Sequence, residues 1–469
     1  MASKKKLLQA AAGAAGGAGL DVDEVFSTYL YTGNDTTRSI TNGIDLSGEG
    51  GLVWFKSRTT TTFHGLFDTG RGATKRLRSD STNAEDTLAS DLTAFNSDGF
   101  TLGNGSTTNT SPREYASWTW RKAPKFFDVV TYTGNGSTQN ISHNLGSVPG
   151  MIIIKCTSRS GDFWNVYHRS LGNNKRLLLQ STINAGTSGD FLNSTDPTST
   201  QFTVGQESDV NASGQTYVAY LFAHNDGDGE FGPDSDQDII KCGSYTGNGD
   251  SSGTNTVELG FEPQWLLIKR YDGDGDWFLM DVMRGMGDNV GAHLDANTSN
   301  AESSNGTTAI MARPTGFSLH TGSNFNGSND DFIYMAIRRG PLAAPESATD
   351  VFSIDTQGGT SPTPPAYVAN HLVDFAFFKT ANSIANWQSS ARLTQGRTIQ
   401  LNSTGAEADS STYAFDYQNG WIDNSSVNSN RYAWMWKRAP SYFDVVAYTG
   451  TGSGVRTINH NLGVAPEMI

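Results

Sequence analysis

The sequence has few cysteines and few charged side chains. Its 469 residues include two cysteines, Cys156 and Cys242, and charged residues amount to 17%. Two cysteines outside any CxxC pair exclude the dense disulfide framework of a small secreted scaffold. We interpret both as buried, unpaired thiols at strand ends.

Basic residues are outnumbered by acidic ones, and long apolar runs are missing. The formal net charge is -14, which argues against nucleic-acid binding because that affinity rests on Lys and Arg releasing counterions from phosphates. No stretch approaches the roughly 20 apolar residues that a membrane helix needs, so we predict no membrane span. Residues 1–20, MASKKKLLQAAAGAAGGAGL, are too weakly hydrophobic for a signal peptide and predict a flexible or helical arm.

Glycine, small polar residues and aromatic residues are abundant instead. The chain has 52 Gly and 11% aromatic residues, a composition that suits short strands joined by turns better than long solvated helices. We therefore predict an all-β protein. A chain of this length is expected to fold as roughly three to five domains.

One stretch of sequence, which we call the opening motif, returns along the chain. Residues 126–155 read FFDVVTYTGNGSTQNISHNLGSVPGMIIIK, and residues 442–469 read YFDVVAYTGTGSGVRTINHNLGVAPEMI. The β-branched and aromatic run, the Gly-Asn-Gly turn and the alternating run after it predict a β-hairpin. The apolar MIIIK run predicts a buried strand that ends in a lysine.

The same opening motif recurs in weaker copies that end in Lys56 and Lys269, and a fourth copy with a Pro-rich start ends in Lys379. A second signature closes each period. In the first copy Trp118 and Trp120 alternate before RKAP, and the later copy YAWMWKRAP keeps this pattern. Aromatic residues spaced by two lie on one face of a strand, so we expect them to face a core.

These periods of about 100 residues predict tandem β-sandwich domains joined by short linkers, each with its own core. The predicted boundaries are an N-terminal arm at 1–25, repeats at 26–124, 125–237 with an acidic linker, 238–345 and 346–440, and the start of a fifth repeat at 441–469. The fourth repeat is divergent. Because the fifth copy of the opening motif is interrupted, we expect this chain to be the front part of a longer product, or the fragment to pair with a neighbour.

Four patterns could carry chemistry or binding, and three of them are better explained by folding or solvation. GDSSG at 249–253 matches the nucleophile elbow of serine hydrolases, but the equivalent places in other copies are ordinary turns. His143 and His460 both precede Asn-Leu-Gly, and we expect each imidazole to bond the backbone of its turn. The basic pairs before Ala-Pro predict salt bridges between domains or solvated charges. We predict no catalytic residues and no enzymatic activity.

The fourth pattern is an acidic, glycine-rich segment, NDGDGEFGPDSD, at 225–236. Carboxylates at every second residue can converge on a hard cation. Asp226, Asp228, Glu230 and Asp234 are therefore candidate calcium ligands, although the full twelve-residue calcium loop is missing. A solvated acidic turn is the alternative, and no cofactor is expected to be required.

The opening motif VVTYTGNGSTQNISHNLGSVPGMIIIK, the closing YASWTWRKAP and the linker HNDGDGEFGPDSDQDIIKCGSYTGNG together resemble the repeated domains of tail-fibre-like virion proteins of marine tailed bacteriophages, especially those that infect cyanobacteria. The resemblance covers residue 29 to the end. The HNLGxxP segment is its most specific part.

This resemblance implies a structural virion protein, a tail fibre or related appendage, located in the particle. It implies attachment to tail or adaptor proteins through the N-terminal arm and contact with a host glycan or receptor through the distal repeats. A homo-oligomer is also implied, with a trimer as one candidate state. A capsid decoration protein and a carbohydrate-binding adhesin remain alternatives.

Overall fold

The computed structural model describes residues 19–287, 291–303, 309–321, 324–356, 365–410, 412–422, 430–448, 450, 452 and 454–469. Strands dominate these residues, and the predicted all-β class is confirmed. Short helical turns occur at α1 (Val22–Val25), α2 (Ser208–Asn211) and two 3₁₀ turns, Ala348–Asp350 and Arg392–Thr394. Within the described residues no helix is long and apolar enough to cross a membrane.

The strands fall into four groups that follow the repeats. The first repeat contains β1 (Phe26–Thr32), β2 (Arg38–Thr41), β3 (Gly51–Ser57), β4 (Gly65–Asp68), β5 (Lys75–Arg76), β6 (Asp86–Thr87), β7 (Leu92–Asn96), β8 (Gly99–Leu102) and β9 (Glu114–Arg121). The second contains β10 (Phe127–Thr133), β11 (Gln139–Ser142), β12 (Met151–Cys156), β13 (Asn165–His168), β14 (Lys175–Leu178), β15 (Gly186–Thr187), β16 (Gln201–Val204) and β17 (Thr216–Phe222).

The third repeat contains β18 (Ile240–Thr246), β19 (Asn255–Glu258), β20 (Pro263–Arg270), β21 (Trp277–Asp281), β22 (Leu294–Asp295), β23 (Ile310–Arg313), β24 (Gly316–Leu319) and β25 (Asp331–Arg338). The fourth contains β26 (Phe352–Thr356), β27 (Tyr367–Val368), β28 (Phe375–Thr380), β29 (Gln388–Ala391), β30 (Arg397–Gln400), β31 (Ala408–Asp409), β32 (Gly420–Trp421) and β33 (Arg431–Trp436).

Every repeat has one large and one small antiparallel sheet, and the first repeat also has a separate two-stranded sheet, β5-β6. The large sheets begin in the orders β1-β9-β3-β4, β10-β17-β12-β13, β18-β25-β20-β21 and β26-β33-β28-β29. The small sheets are β2-β8-β7, β11-β16, β19-β24-β23 and β27-β32. The apolar strand of the opening motif therefore lies inside its sheet, which explains why β3 and β12 are buried along their whole length.

The opening motif itself is not a β-hairpin, so that prediction is wrong. Its first arm, β10, pairs with the closing strand β17, and its second arm, β11, pairs with β16 in the other sheet. Gly136, at φ +74°, supplies the turn, and the amide of Gly134 donates to Gln215 O at 2.8 Å. The turn thus carries the chain from one sheet to the other, because both arms find better partners far along the sequence.

Each large sheet has two apolar faces. In the first repeat, Val53 and Phe55 point towards the small sheet, where Phe55 meets Phe100 at a ring-centroid distance of 5.2 Å. Leu52 and Trp54 point the opposite way, into a cluster that also contains residues of the second and third repeats. The first three repeats therefore share a core in addition to the clusters between their sheets, and the sequence pattern did not predict this shared core.

The ends of the chain differ from the repeats. Most of the predicted N-terminal arm, 1–18, lies outside the described residues. Its described end forms α1, capped by Asp21, whose carboxylate also accepts from the amide of Leu342 at 2.8 Å. Within the described part of 442–469 the chain forms no strand beyond an isolated bridge between Ala439 and Phe443. Cys156 and Cys242 are buried and unpaired, as predicted.

Candidate interaction surface

The first three repeats contact one another in cyclic order. The indole of Trp164 in the second repeat donates to Arg78 O in the first at 2.8 Å, and the indole of Trp277 in the third donates to Leu178 O in the second at 3.0 Å. At the equivalent position of the first repeat, His64 Nε2 lies 3.1 Å from Asp295 O in the third. These contacts close a circle, which we call the three-repeat ring.

Backbone hydrogen bonds repeat the same circle. The three equivalent bonds run from Glu85 N to Thr157 O at 2.8 Å, from Ala185 N to Tyr271 O at 2.9 Å and from Glu302 N to Arg58 O at 2.8 Å. A second set runs from Gly161 N to Thr82 O, from Gly275 N to Thr182 O and from Thr62 N to Ser299 O, each at 2.9 Å. Equivalent atoms thus meet at all three boundaries, which is the pattern of threefold pseudosymmetry.

The lysines that end the opening motifs lie at these boundaries. Lys155 Nζ donates to Thr82 O of the first repeat at 3.3 Å, and Lys269 Nζ donates to Thr182 O of the second at 2.8 Å. Burial lowers the pKa of Lys56, Lys155 and Lys269 to about 8 because it disfavours the charged ammonium. The chain therefore uses these lysines in packing, although a lysine at a strand end would normally be assigned to the surface.

Buried carboxylates add further boundary contacts. The Tyr220 hydroxyl of the second repeat donates to Asp68 of the first at 2.8 Å, and Asp68 also accepts from Arg71 at 2.6 Å. In the same way, Trp118 of the first repeat donates to Asp281 of the third at 3.0 Å. Asp68 and Asp281 are both fully buried. The negative charge of each carboxylate is compensated by a paired cation and by a hydrogen-bond donor from the neighbouring repeat.

Aromatic rings of all three repeats meet in the shared core. Trp120 of the first repeat lies 5.4 Å from Trp265 of the third and 6.0 Å from Phe222 of the second, measured between ring centroids. All three side chains are at most 1% exposed. The alternating aromatic residues of the closing strand therefore pack between repeats.

The fourth repeat has the same sheet, but the corresponding face is partly exposed, and Phe443, which follows the repeat, packs against its edge. Its equivalent side chains form a continuous patch of touching rings, which we call the open aromatic face: Phe352, Phe375, Phe377, Trp387, Trp434 and Trp436. Each of them is only half-buried. The alternating pattern predicted that Trp434 and Trp436 face a core, and the pattern alone could not reveal their exposure.

The fourth repeat is attached to the ring through charged groups on other surfaces. Arg58 Nη2 lies 2.8 Å from both Glu302 of the third repeat and Asp416 of the fourth. Arg438, which is fully buried, lies 2.9 Å from Glu262. These ion pairs hold the fourth repeat against the ring through surfaces other than its open aromatic face.

The candidate calcium ligands Asp226, Asp228, Glu230 and Asp234 are all exposed. Lys125 donates to Asp228 O at 2.8 Å and pairs with Glu230 at 2.9 Å. Asp238, outside the candidate set, accepts from two loop amides and shapes the turn. Among the residues that the structure describes, no group of three or more His, Cys, Asp or Glu is arranged to hold a metal.

The remaining candidates behave as folding elements. His143 Nδ1 accepts from Leu145 N at 3.2 Å, and His460 Nδ1 accepts from Leu462 N at 3.3 Å, which confirms the predicted turn bonds. Burial lowers the pKa of His143. In GDSSG, Asp250 accepts from Ser252 at 2.5 Å within an exposed turn.

Salt bridges of the basic pairs are also present. Arg121 pairs with Glu49 inside the first repeat, whereas the lysine of each pair bonds outside its own repeat. Lys122 of the first repeat pairs with Asp128 of the second at 3.0 Å. Lys437 of the fourth repeat pairs with Asp23 at 3.4 Å. The lysines of the basic pairs thus hold their repeats to neighbouring segments of the chain.

Comparison with known proteins gives one family match. No curated protein matches the chain. A family model described as a domain of unknown function, DUF7483, matches residues 21–341, well over half of the chain. The match begins at the residue that caps α1 and ends just after β25, so it covers the whole three-repeat ring. The chain belongs to the DUF7483 family.

Proposed function

We propose that this chain is a structural component of a tailed-bacteriophage particle, a tail fibre or related appendage. It attaches through its N-terminal arm to tail or adaptor proteins, and its distal repeats reach the host surface. No catalytic step is assigned to it. Two observations support the proposal. One is the sequence resemblance, and the other is that charged and aromatic side chains hold the repeats together.

The closed circle of inter-repeat contacts carries this proposal. Buried Lys155 and Lys269, the Asp68 and Asp281 carboxylates and the indole donors all serve to hold repeats together. Groups that could perform acid–base chemistry are thus engaged in architecture. A rigid ring of this kind suits a part that must keep its shape while it carries load between a particle and a cell.

The attachment role of the arm can be tested by deletion. Leu20 O accepts from Gly232 N at 3.0 Å, so the deletion should stop at residue 18 to preserve this contact. We expect the shortened protein to fold with an unchanged melting temperature but to be absent from purified phage particles. Normal incorporation of the shortened protein would refute the attachment role.

The place on the particle needs a separate measurement. Immunogold labelling of intact particles should mark the tail if the chain is a fibre or related appendage. Labelling of the head would instead favour a capsid decoration protein. The control is the same antibody on particles that lack the gene.

A carbohydrate-binding adhesin is the second candidate, and the open aromatic face is the observation that favours it. Half-exposed rings such as Trp387 and Trp434 can stack on sugars. Binding of host-surface polysaccharide by the purified chain, lost in Trp387→Ala, would support this candidate. Unaltered binding in that variant would place the glycan site elsewhere.

A further inference from the structure

We propose that His168 makes the boundary between the second and third repeats a pH-sensitive latch, which opens in mild acid while the other two boundaries of the three-repeat ring stay closed. The inference concerns the ring alone and does not depend on the virion role. It rests on one strand-end position that all three repeats share and that carries a different kind of side chain in the second repeat.

Strand register fixes the equivalence of this position. In each repeat it is the last residue of its strand and pairs with the same place in the opening motif: Asp68 with Leu52, His168 with Met151 and Asp281 with Trp265. Each of the three residues also bonds to the next repeat of the ring, through the Tyr220 hydroxyl, Tyr334 O and the Trp118 indole, respectively. The three boundaries thus use one common position with different chemistry.

Two of the three boundaries have a permanent ion pair at this position. Asp68 lies 2.6 Å from Arg71, and Asp281 lies 2.7 Å from Arg284. In the second repeat the residue three positions after His168 is Leu171, so the histidine lacks the equivalent charged partner. An uncharged group therefore closes the boundary between the second and third repeats.

The hydrogen bonds of His168 require a neutral imidazole. Its Nδ1 accepts from Ser170 N at 3.2 Å, and its Nε2 lies 3.1 Å from Tyr334 O in the third repeat. Because a backbone amide only donates and a carbonyl only accepts, the single ring proton is on Nε2. A second proton would be on Nδ1 and would point at the Ser170 amide hydrogen. Protonation therefore breaks the bond that orients the ring, at a residue that is 0% exposed.

The groups around His168 also oppose a positive charge. Arg169 follows it in the chain, and His224 lies against Arg169 and accepts from Cys242 N of the third repeat at 3.1 Å. Burial raises the pKa of the Cys242 thiol and of the Tyr334 hydroxyl, so both groups stay neutral in acid. Burial, together with Arg169 and His224, lowers the pKa of His168 to about 4, although the bond to Tyr334 O acts in the opposite direction.

The boundary between the first and third repeats also contains a buried histidine, His64, but carboxyl groups accompany it. Asp80 accepts from His64 N at 3.3 Å, and Asp295 O lies 3.1 Å from His64 Nε2. Burial lowers the pKa of His64 and raises the pKa of both carboxyls to about 6. As the pH falls below 6, the closed boundary gains protons on these carboxyls, which offsets the proton that the open boundary gains on His64. The charges of Lys56 and Arg284 nearby do not change in this range.

The linker between the second and third repeats gives this boundary room to open. Residues 223–239 connect β17 to β18, whereas the shorter segment 122–126 connects β9 to β10. The linker carboxylates Asp226 and Asp238 each lie 3.9 Å from Lys241, so the linker has its own charge partner. The second and third repeats thus separate without breaking a short connection.

The latch has a defined dependence on pH. When the boundary opens, water reaches the imidazole of His168 and its pKa returns to the ordinary value of 6.5. The open form therefore binds the additional proton below pH 6.5. Its ratio to the closed form rises by at most about 10-fold per pH unit as the pH falls towards 4.

Hydrogen–deuterium exchange of the full chain tests the three boundaries in one experiment. Two amides bond across each boundary: Ala185 and Gly275 between the second and third repeats, Glu85 and Gly161 between the first and second, and Thr62 and Glu302 between the first and third. From pH 7 to pH 4.5, after correction for intrinsic exchange rates, protection of Ala185 and Gly275 should fall by up to about 10-fold per pH unit. The other four amides should keep their protection.

A variant of His168 identifies the group responsible. His168→Gln removes the titrating group and keeps an amide that donates to Tyr334 O, so protection at Ala185 should no longer depend on pH. His143→Gln is the matched control, because His143 Nδ1 accepts from Leu145 N at 3.2 Å and its Nε2 lies 3.2 Å from Thr198 O, all inside the second repeat. This control should keep the wild-type response.

The wild-type chain alone decides the question if a variant fails to fold. Loss of protection at all three boundaries together overturns the proposal, and so does constant protection of Ala185 and Gly275 down to pH 4.5. The latch is equally refuted if folded His168→Gln keeps the acid response or folded His143→Gln loses it.

Discussion

The three-repeat ring and the fourth repeat use the same sheet in different surroundings. Trp120 is fully buried among rings of three repeats, whereas its counterpart Trp436 is half-buried and contacts rings of its own repeat and Phe443. The strand order is the same in both, so the difference lies outside the repeat. Burial of the closing aromatic residues is therefore a property of the assembled ring.

This comparison separates two roles of one strand. Side chains of one face stabilise the repeat itself by packing against its small sheet, and side chains of the other face join repeats. Substitutions on the second face should consequently be severe in the ring and mild in the fourth repeat.

The largest difference is expected for the two tryptophans. Trp120→Ala should lower the free energy of unfolding by about 3–5 kcal/mol, because it leaves a cavity where three repeats meet. Trp436→Ala should cost less, about 1–2 kcal/mol, because its ring is already partly in contact with water. Urea unfolding followed by circular dichroism measures both.

Trp120→Phe is the control for this pair. Among the residues that the structure describes, none accepts a hydrogen bond from the indole nitrogen of Trp120, so phenylalanine keeps most of the packing without losing a bond. Equal losses in Trp120→Ala and Trp436→Ala would contradict the distinction between ring and fourth repeat.

A smaller loss is expected at the boundary between the first and second repeats. Tyr220→Phe removes the hydroxyl that donates to buried Asp68 and should cost about 1.5–3 kcal/mol, the range for a hydrogen bond to a charged group. Tyr432→Phe, at an exposed tyrosine of the fourth repeat, is the matched control and should leave the urea midpoint unchanged. A neutral Tyr220→Phe would show that this contact does not hold the two repeats together.

The repeats could be predicted from the sequence, but not the fact that the first three of them close into a ring. Matching opening motifs, the closing aromatic residues and the strands ending in Lys56, Lys155 and Lys269 could be identified because local patterns recur. An alternating pattern indicates which residues share a strand face, but it does not indicate what covers that face. For this reason the shared core, the buried lysines and the open aromatic face could not be found from the sequence.

The hairpin prediction failed for a related physical reason. Turn residues at Gly134 and Gly136 indicate a local reversal of the chain, and a hairpin forms only if the adjacent strands then pair. Here the long closing strand β17 offers β10 a longer ladder than β11 could. Contacts between residues that are far apart in the sequence form the ring. Contacts of the same kind outweigh the hairpin signal of the turn residues.

The buried lysines predict a pH dependence confined to the ring. Lys155 has a pKa of about 8 in the folded chain against 10.5 for the free side chain, so between these values the unfolded chain binds the additional proton. Stability of the wild type relative to Lys155→Met should therefore rise from pH 8 to pH 10, by at most about 1.4 kcal/mol per pH unit.

Lys379→Met in the fourth repeat is the matched control, since the Lys379 ammonium lies at the surface. Thermal unfolding at several pH values should show a changed slope for Lys155→Met alone. The same slope in wild type and Lys155→Met would mean that this ammonium is not held in a desolvated boundary.

The smallest effect is expected for calcium at the acidic linker between the second and third repeats. Lys125 already neutralises part of this segment by pairing with Glu230, and both carboxylate oxygens of Asp238 accept from loop amides. A cation would have to compete with these contacts and gather exposed carboxylates into one shell, which costs side-chain entropy. We therefore expect no binding heat at millimolar calcium in a calorimetric titration of the full chain. Measurable heat that disappears in Asp226→Asn/Asp228→Asn would instead assign these two carboxylates to a calcium site, and the linker would then strengthen the ring in a way that the linker to the fourth repeat does not.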